Sequence, residues 1–315
     1  MSHICKEESI MNNKELHEKI LYPVTRVRCG KGGGSGVLVY SKPDPKTNKY
    51  INIVLTCQHV IAEAIKLEDR WDTVLKREVK KDIMEEVAVE IFQYDDSTVV
   101  SSNSTQAKII AYDEHHDLAA VMLNNNHKMD YTASILPKDE IDDLRLFDPT
   151  WTSGCSLLHD PFANPGTLTY LRELIEQKSY IMTNASSVFG NSGGGLFHGD
   201  KGHLLGLTSR ITSMQLGFGI DVMTWMGFST HPERMYEFFD HQELQFLYDD
   251  NDNYHDAMER RSNRRKEALR SIMLEKEGIQ PDNTVEEFVV GQLSPDAKID
   301  LNALYNASSD MQTFF

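Results

Sequence analysis

Most of the chain between residues 22 and 222 consists of short apolar stretches separated by turn-forming residues. Residues 24–29 alternate and residues 50–56 form a β-branched apolar run, and both patterns are typical of strands. Residues 196–198 and 203–209 flank a Gly-Asp-Lys-Gly sequence, which favours a hairpin turn. Many short strands joined by glycine-containing turns predict an all-β barrel or sandwich.

Three segments inside this region have a different character. The charge-dense segment 66–86 places Trp71 and Val79 within a helix-like apolar spacing, so we predict a surface helix there. Residues 95–105 are polar and residues 160–166 are rich in turn-forming residues, so we predict that both are loops.

Helices are predicted towards both ends of the chain. Residues 14–20 favour a short helical turn, and Ser229 is the predicted N-cap of a helix that begins at Pro232. Residues 257–276 predict a charged helix with five basic residues between positions 260 and 266. Such a cluster is either a solvated helix face or a docking patch. The sparse apolar residues after this helix predict partial disorder.

Composition limits the class of partner. The chain has 315 residues and a formal net charge of −16 at pH 7, which disfavours binding to nucleic acid or anionic membranes. No apolar run is long enough for a transmembrane helix, and residues 1–20 lack the apolar core of a secretory signal. We therefore expect a cytoplasmic or viral protein that binds neither nucleic acid nor membrane.

The cysteines argue against metal chemistry. They are Cys5, Cys29, Cys57 and Cys155, and no two of them have C-x-x-C spacing. We expect no metal, no cofactor and four free thiols in a reducing compartment. Cys57 lies two residues before His59, a spacing that permits a Cys/His dyad, although a small buried core residue is the favoured interpretation.

The candidate chemistry centres on Ser192, which lies in a Gly-Asn-Ser-Gly-Gly sequence. Glycines permit a tight turn, and the N–H groups of Gly190 and Ser192 are candidates for stabilising an oxyanion. A serine nucleophile also needs a base and a group that orients the base. Upstream, His59 follows a predicted strand and is the candidate base. Asp117 precedes another strand and is the candidate orienting group, with Asp113 as its rival.

Five sequence blocks, taken in order, resemble trypsin-like serine proteases, most closely the Deg/HtrA-type and related bacterial and viral peptidases. The blocks are G-S-G-V-L-V from residue 34, L-T-C-Q-H-V from residue 55, A-K at 107 with D-L-A at 117, D-P-F at 160, and I-M-T-N-A at 181 running into G-N-S-G-G at 190. The resemblance covers residues 24–239. It implies a double six-stranded antiparallel β-barrel followed by a C-terminal helical extension.

The same resemblance divides the chain into four segments. They are an N-terminal arm (1–20), a first β-barrel that carries His59 and Asp117 (21–126), a second β-barrel with a closing helix that carries Ser192 (127–249), and a charged helical, partly disordered extension (250–315).

The resemblance also assigns roles around the nucleophile. Asn191 stands where digestive members have an aspartate that pairs with a freshly cut N-terminus, so zymogen activation by that ion pair is not expected. Ser186 is expected near the bottom of the S1 pocket, and Thr208, Ser209 and Arg210 are expected to line the substrate site. A neutral Ser186 argues against Arg or Lys before the scissile bond and favours a small or medium apolar residue.

The resulting expectation is a serine endopeptidase that cleaves protein or peptide substrates through an acyl-enzyme, with processing or maturation as its expected role. Two alternatives stay open. One is a catalytically silent, protease-like scaffold that binds partners through the extension at 250–315, and the other is an esterase that uses the same site.

Overall fold

The computed structural model describes residues 11–72, 77–216 and 219–276. The described residues fall into two compact units, one built from residues 11–64 and 85–255 and the other from residues 65–84 and 256–276. The predicted partial disorder after residue 276 lies outside the described residues. The four predicted segment boundaries stay predictions.

Most of the first unit consists of two closed antiparallel β-barrels. In chain order, the strands of the molecule are β1 (Val24–Cys29), β2 (Gly32–Pro43), β3 (Tyr50–Thr56), β4 (Ile65–Asp72), β5 (Arg77–Met84), β6 (Val87–Asp95), β7 (Thr98–Asp113), β8 (Leu118–Leu123), β9 (Pro149–Gly154), β10 (Phe162–Ile175), β11 (Lys178–Thr183), β12 (Gly195–His198), β13 (Leu204–Leu216) and β14 (Gly219–Thr230). The first barrel has the order β1-β2-β3-β8-β7-β6, and the second has the order β10-β11-β14-β13-β12-β9. The predicted double six-stranded barrel is confirmed.

The barrel cores explain why strand signals are strong in this sequence. Residues 52–56 of β3 are all buried, so the strand is covered on both faces, and its centre at 53–55 is a continuous apolar run. Closing each sheet on itself also pairs the edge strands, which leaves no long exposed edge in either barrel.

The predicted surface helix over residues 66–86 is wrong, because residues 65–72 and 77–84 pair as the antiparallel strands β4 and β5. Opposite charges face each other in its register, with Glu68 opposite Lys81 and Asp69 opposite Lys80. Cross-strand pairs of opposite charge favour a hairpin. The few apolar residues of the segment match a helical spacing by coincidence, whereas its charged residues form opposite-charge pairs across two strands.

The two predicted loops are also wrong. Residues 98–105 belong to β7, which pairs with β6, and residues 162–166 begin β10, which pairs with β9. Backbone hydrogen bonds between neighbouring strands hold these polar residues in the sheet although they bury little apolar surface. Side chains add to the pairing, since Ser101 Oγ donates to Gln93 Oε1 on the neighbouring strand at 2.5 Å.

Four α-helices lie in the described residues. They are α1 (Asn13–Leu16), which a π-helical turn (His17–Leu21) continues, α2 (Gln58–Ile61), α3 (Pro232–His241) and α4 (Tyr254–Lys276). The predicted N-terminal turn and both C-terminal helices are thereby confirmed. None of these helices combines the length and the hydrophobicity that crossing a bilayer requires.

The predicted N-cap of α3 is wrong. Ser229 lies within β14, which continues to Thr230, and the cap is His231. The His231 ring nitrogen Nδ1 accepts a hydrogen bond from the backbone N–H of Glu233 at 3.3 Å. Strand pairing with β11 therefore extends the sheet past the serine that the local sequence favours as a cap.

The segment that follows α3, residues 242–255, returns to the first barrel, and we call it the strap. Phe246 of the strap is buried, and its ring meets Tyr40 of β2 edge-on with 5.0 Å between centroids. Lys42 Nζ of the same strand lies 2.5 Å from Asp250 Oδ1. The strap thus connects the end of the second barrel to the wall of the first.

We expect Phe246→Ala to lower the free energy of unfolding by about 3–5 kcal/mol, because it leaves a cavity where a ring that is only 1% exposed now packs. Phe147, which is 83% exposed, provides the control, and Phe147→Ala is expected to change the value by less than about 0.5 kcal/mol. Urea denaturation of both variants measures the difference. Equal values for the two variants would contradict the described packing of the strap.

Candidate active site

The candidate base, His59, lies in α2 directly after β3. Cys57 ends the strand in an extended conformation and is the N-cap of α2, so the chain turns there and presents the His59 side chain at the end of the barrel. The ring nitrogen Nδ1 lies 2.9 Å from both carboxylate oxygens of Asp117. The imidazole is 46% exposed, which leaves its other nitrogen accessible.

The carboxylate of Asp117 is far less exposed than its partner and is held by several donors. It accepts a hydrogen bond from the backbone N–H of His59 at 3.1 Å and another from Ser209 Oγ at 2.5 Å. Burial by itself raises the pKa of the Asp117 carboxyl. The hydrogen bonds from His59 and Ser209 and the charge of His59 outweigh burial, and the pKa is lowered.

The rival carboxylate, Asp113, occupies a different place. It ends β7, and its Oδ1 accepts a hydrogen bond from the backbone N–H of His116 at 2.9 Å. Of the two candidates, Asp117 is therefore the one that contacts His59.

Ser192 is placed beside α2 by contacts of its own backbone. Its carbonyl accepts a hydrogen bond from the N–H of Ser35 in β2 at 2.8 Å. Gly34 has no room for a side chain, because a Cβ there would stand 2.7 Å from the Ser192 carbonyl oxygen and 2.8 Å from Cγ2 of Val60. The Ser192 backbone and the residue after His59 thus meet at one point on β2.

The Thr208 carbonyl of β13 joins the same two segments. It accepts hydrogen bonds from the N–H of Gly193 at 2.8 Å and from Sγ of Cys57 at 3.3 Å. One carbonyl of the second barrel therefore holds both the residue that follows Ser192 and the residue two positions before His59. The structure brings the three predicted triad residues to one end of the two barrels.

The carbonyls of the nucleophile loop, residues 189–192, are all held by donors. The Phe189 carbonyl accepts from the N–H of Leu157 at 2.6 Å, and the Gly190 carbonyl accepts from Ser35 Oγ at 2.7 Å. The Asn191 carbonyl accepts from the N–H of Gly194 at 2.7 Å. Because the carbonyl and N–H of one peptide unit point in opposite directions, each of these bonds fixes an N–H as well.

Three N–H groups of this loop, those of Phe189, Gly190 and Ser192, donate to no protein atom among the described residues. Gly190 has a φ of +93°, and a Cβ there would stand 2.6 Å from the Leu157 nitrogen, so no other residue fits this turn. The N–H groups of Gly190 and Ser192 are the two donors that the sequence predicts for an oxyanion hole.

A family model provides an independent comparison. The model of the trypsin-like peptidase domain matches residues 34–207 of this chain, which include His59, Asp117 and Ser192. The chain belongs to the trypsin-like peptidase family. The resemblance to trypsin-like serine proteases is thereby confirmed.

Solved structures that match this trypsin-like peptidase include the HtrA-type protease AlgW with tripeptide. The sequences are 18% identical and the TM-score is 0.49, over 72% of this chain and 62% of that chain. The peptidase therefore spans less than two thirds of the length of that structure. A search of curated proteins gives no match.

Asn191 is buried in the peptidase and has neutral partners. Its Oδ1 accepts from Ser156 Oγ at 2.7 Å, and its Nδ2 lies 3.5 Å from Ser187 Oγ. A buried amide is satisfied by hydroxyls, whereas a buried aspartate needs a cation. These contacts agree with the prediction that the loop does not use an ion pair to a cut N-terminus.

The predicted substrate-binding residues have different surroundings. Ser186 is exposed, and its carbonyl accepts from Thr152 Oγ1 at 3.1 Å. Thr208 is buried, Ser209 donates to Asp117, and the Arg210 guanidinium lies 2.7 Å from Glu176. Their roles in substrate binding stay predictions.

Sequence reasoning missed two residues that hold the nucleophile loop. The hydroxyl of Ser35 accepts from the N–H of Cys155 and donates to the Gly190 carbonyl, both at 2.7 Å. The Gly-Ser-Gly sequence around Ser35 predicted the start of a strand and gave no sign of these two hydrogen bonds. Leu157 acts through its backbone N–H, so its side chain carries no signal of that contact.

Atoms of Cys57, His59 and Asp117 lie within 4.8 Å of one another, a set that includes three types of metal ligand. Burial and the nearby Asp117 raise the pKa of the Cys57 thiol, whose proton points to the Thr208 carbonyl. A metal ligand or a nucleophile must be a thiolate. In this structure the Cys57 thiol is thus a buried hydrogen-bond donor, which favours a core residue over a member of a Cys/His dyad.

We expect Cys57 of the native peptidase to react with iodoacetamide at pH 8 at least about 100-fold more slowly than an exposed thiol, because its pKa is raised and it is buried. Ser101→Cys, at an exposed position of β7, provides the reference thiol. Mass spectrometry of the labelled peptides gives both rates. Similar alkylation rates for the two thiols would support the Cys/His dyad instead.

Proposed function

We propose that this trypsin-like peptidase is a serine endopeptidase in which Ser192 is the nucleophile, His59 the general base and Asp117 the group that orients His59. The observation that carries the proposal is the contact of His59 Nδ1 with both carboxylate oxygens of Asp117, beside a loop in which the N–H groups of Gly190 and Ser192 are unpaired among the described residues. An oriented base and a pair of oxyanion donors are two of the elements that acyl transfer by a serine requires.

The chemistry follows from these positions. His59 Nε2 takes the proton of Ser192 Oγ while that oxygen attacks the scissile carbonyl carbon. The N–H groups of Gly190 and Ser192 stabilise the oxyanion that forms. The intermediate then expels the amine, which receives the proton from His59, and water hydrolyses the acyl-enzyme by the same steps.

Asp117 contributes through its charge. Because its pKa is lowered, the carboxyl is ionised at neutral pH and fixes the proton of His59 on Nδ1. That leaves Nε2 as the basic nitrogen, and the negative charge stabilises the imidazolium that forms during attack.

The proposed substrates are proteins or peptides with a small or medium apolar residue before the scissile bond, and the proposed role is processing or maturation. Of the predicted residues 208–211 of β13, Thr208 uses its N–H and carbonyl on Gly194 and Gly193, so residues 209–211 would pair with an extended substrate through their backbone. The neutral Ser186 offers no counter-charge for Arg or Lys.

We expect a fluorophosphonate probe to label the wild-type protein at Ser192 and to leave Ser192→Ala and His59→Ala unlabelled. Asp117→Asn is expected to label about 10⁴-fold more slowly, because His59 then holds its proton on the wrong nitrogen. Ser101→Ala, which removes an exposed hydroxyl of β7, is the control and should label like the wild type.

The outcome separates the three hypotheses. A folded wild-type protein that does not label would support the catalytically silent scaffold. A protein that labels and turns over p-nitrophenyl esters but no member of a peptide library would support the esterase.

We expect Ser35→Ala to lower kcat by about 10²-fold with little change in KM, because the Gly190 carbonyl loses its donor and the peptide unit between the two oxyanion N–H groups is no longer fixed. Ser153→Ala is the matched control, since Ser153 is also buried but its hydroxyl has no partner among the described residues. Steady-state peptide hydrolysis measures both variants. Equal kcat values in the two variants would contradict the role of Ser35.

A further inference from the structure

Asp117 has a backbone conformation that needs external support. Its φ is +54°, in the left-handed region that residues other than glycine rarely adopt. Such a conformation costs on the order of 1–3 kcal/mol and persists only where neighbouring contacts hold it. The position of the carboxylate next to His59 depends on this conformation.

Those contacts come from Arg234 of α3, a helix of the second barrel segment. Arg234 Nη2 donates to the carbonyl of His116 at 2.7 Å and to that of His115 at 3.2 Å. Its Nη1 donates to the carbonyl of Ser179, in β11, at 3.0 Å. One side chain therefore connects the two peptide units before Asp117 to a strand of the second barrel.

The charge of Arg234 has an unusual environment. The residue is only 4% exposed, and among the described residues it forms no ion pair with a carboxylate. Three carbonyls and the face of the Tyr180 ring, 4.8 Å from the guanidinium carbon, surround it instead. Burying a cation without a counter-ion is costly, so packing alone would favour an apolar residue at this position.

We propose that Arg234 is a positioning residue for the Asp117–His59 pair, holding the peptide units before Asp117 so that its carboxylate faces Nδ1 of His59. This inference rests on the proposed function. Among the described residues, no other side chain of the second barrel donates to these two carbonyls, so without the planar guanidinium the peptide units before Asp117 lose this contact and the carboxylate shifts relative to Nδ1 of His59.

The test compares Arg234→Gln and Arg234→Lys with Arg172→Gln. Arg172 is the matched control, since it lies 2.6 Å from Glu233 of the same helix but is half-exposed. We expect Arg234→Gln to lower kcat by about 10²-fold with KM changed less than threefold. Lysine has the charge but not the two-pronged geometry, so Arg234→Lys should be intermediate, and the control should match the wild type.

A second readout follows His59 itself. Proton NMR detects the Nδ1 proton of His59 that faces Asp117, and its downfield resonance should move upfield in Arg234→Gln because a displaced Asp117 no longer accepts this hydrogen bond. A general loss of packing would not change this resonance in a folded protein. Circular dichroism identifies which variants are folded.

Each result decides the proposal. Unchanged kcat and an unchanged His59 Nδ1 proton resonance in the folded variants would overturn it, and so would failure of both Arg234 variants to fold, because the residue would then serve folding alone. If the wild type shows no activity, the proposed function fails separately, and the His59 Nδ1 proton resonance still tests whether Arg234 positions Asp117.

Discussion

A carboxylate that is largely removed from water is stable only when donors surround it, and the site of this peptidase is arranged around that requirement at Asp117. His59 of the first barrel supplies two donors, and Ser209 of the second barrel supplies a third. The same group therefore orients the candidate base and binds one barrel to the other. The Thr208 carbonyl, next in sequence to Ser209, then positions the segments of Cys57 and Gly193.

The nucleophile loop satisfies a complementary requirement. Each carbonyl from residue 189 to residue 192 has a donor, so the loop keeps its shape while the N–H groups of Gly190 and Ser192 stay unpaired among the described residues. The donors come from β2, from the turn at Leu157 and from the loop itself. Asn191 is satisfied by hydroxyl groups, so no charged partner is needed to hold this conformation in the uncut chain.

Three of the nine non-glycine residues with positive φ among the described residues lie where these contacts act. They are Asp117, Leu157 and Leu158, with φ angles of 54°, 52° and 60°. Each such conformation costs on the order of 1–3 kcal/mol, and the closed barrels supply the rigid frame that holds it. The backbone N–H of Leu157 donates to the Phe189 carbonyl of the nucleophile loop. Asp117 directly follows the peptide units that Arg234 contacts.

The sequence by itself determined the double barrel, the family and the three triad candidates, because alternation, glycine turns and ordered motifs are local signals. It misread the hairpin β4–β5 and the polar part of β7, where pairing partners rather than apolar spacing decide the structure. Only the tertiary structure distinguished Asp117 from Asp113 and brought Ser35 and Arg234 to the site. Their partners lie 155 and 118 residues away in the chain, and a hydrogen bond across that separation leaves no local pattern.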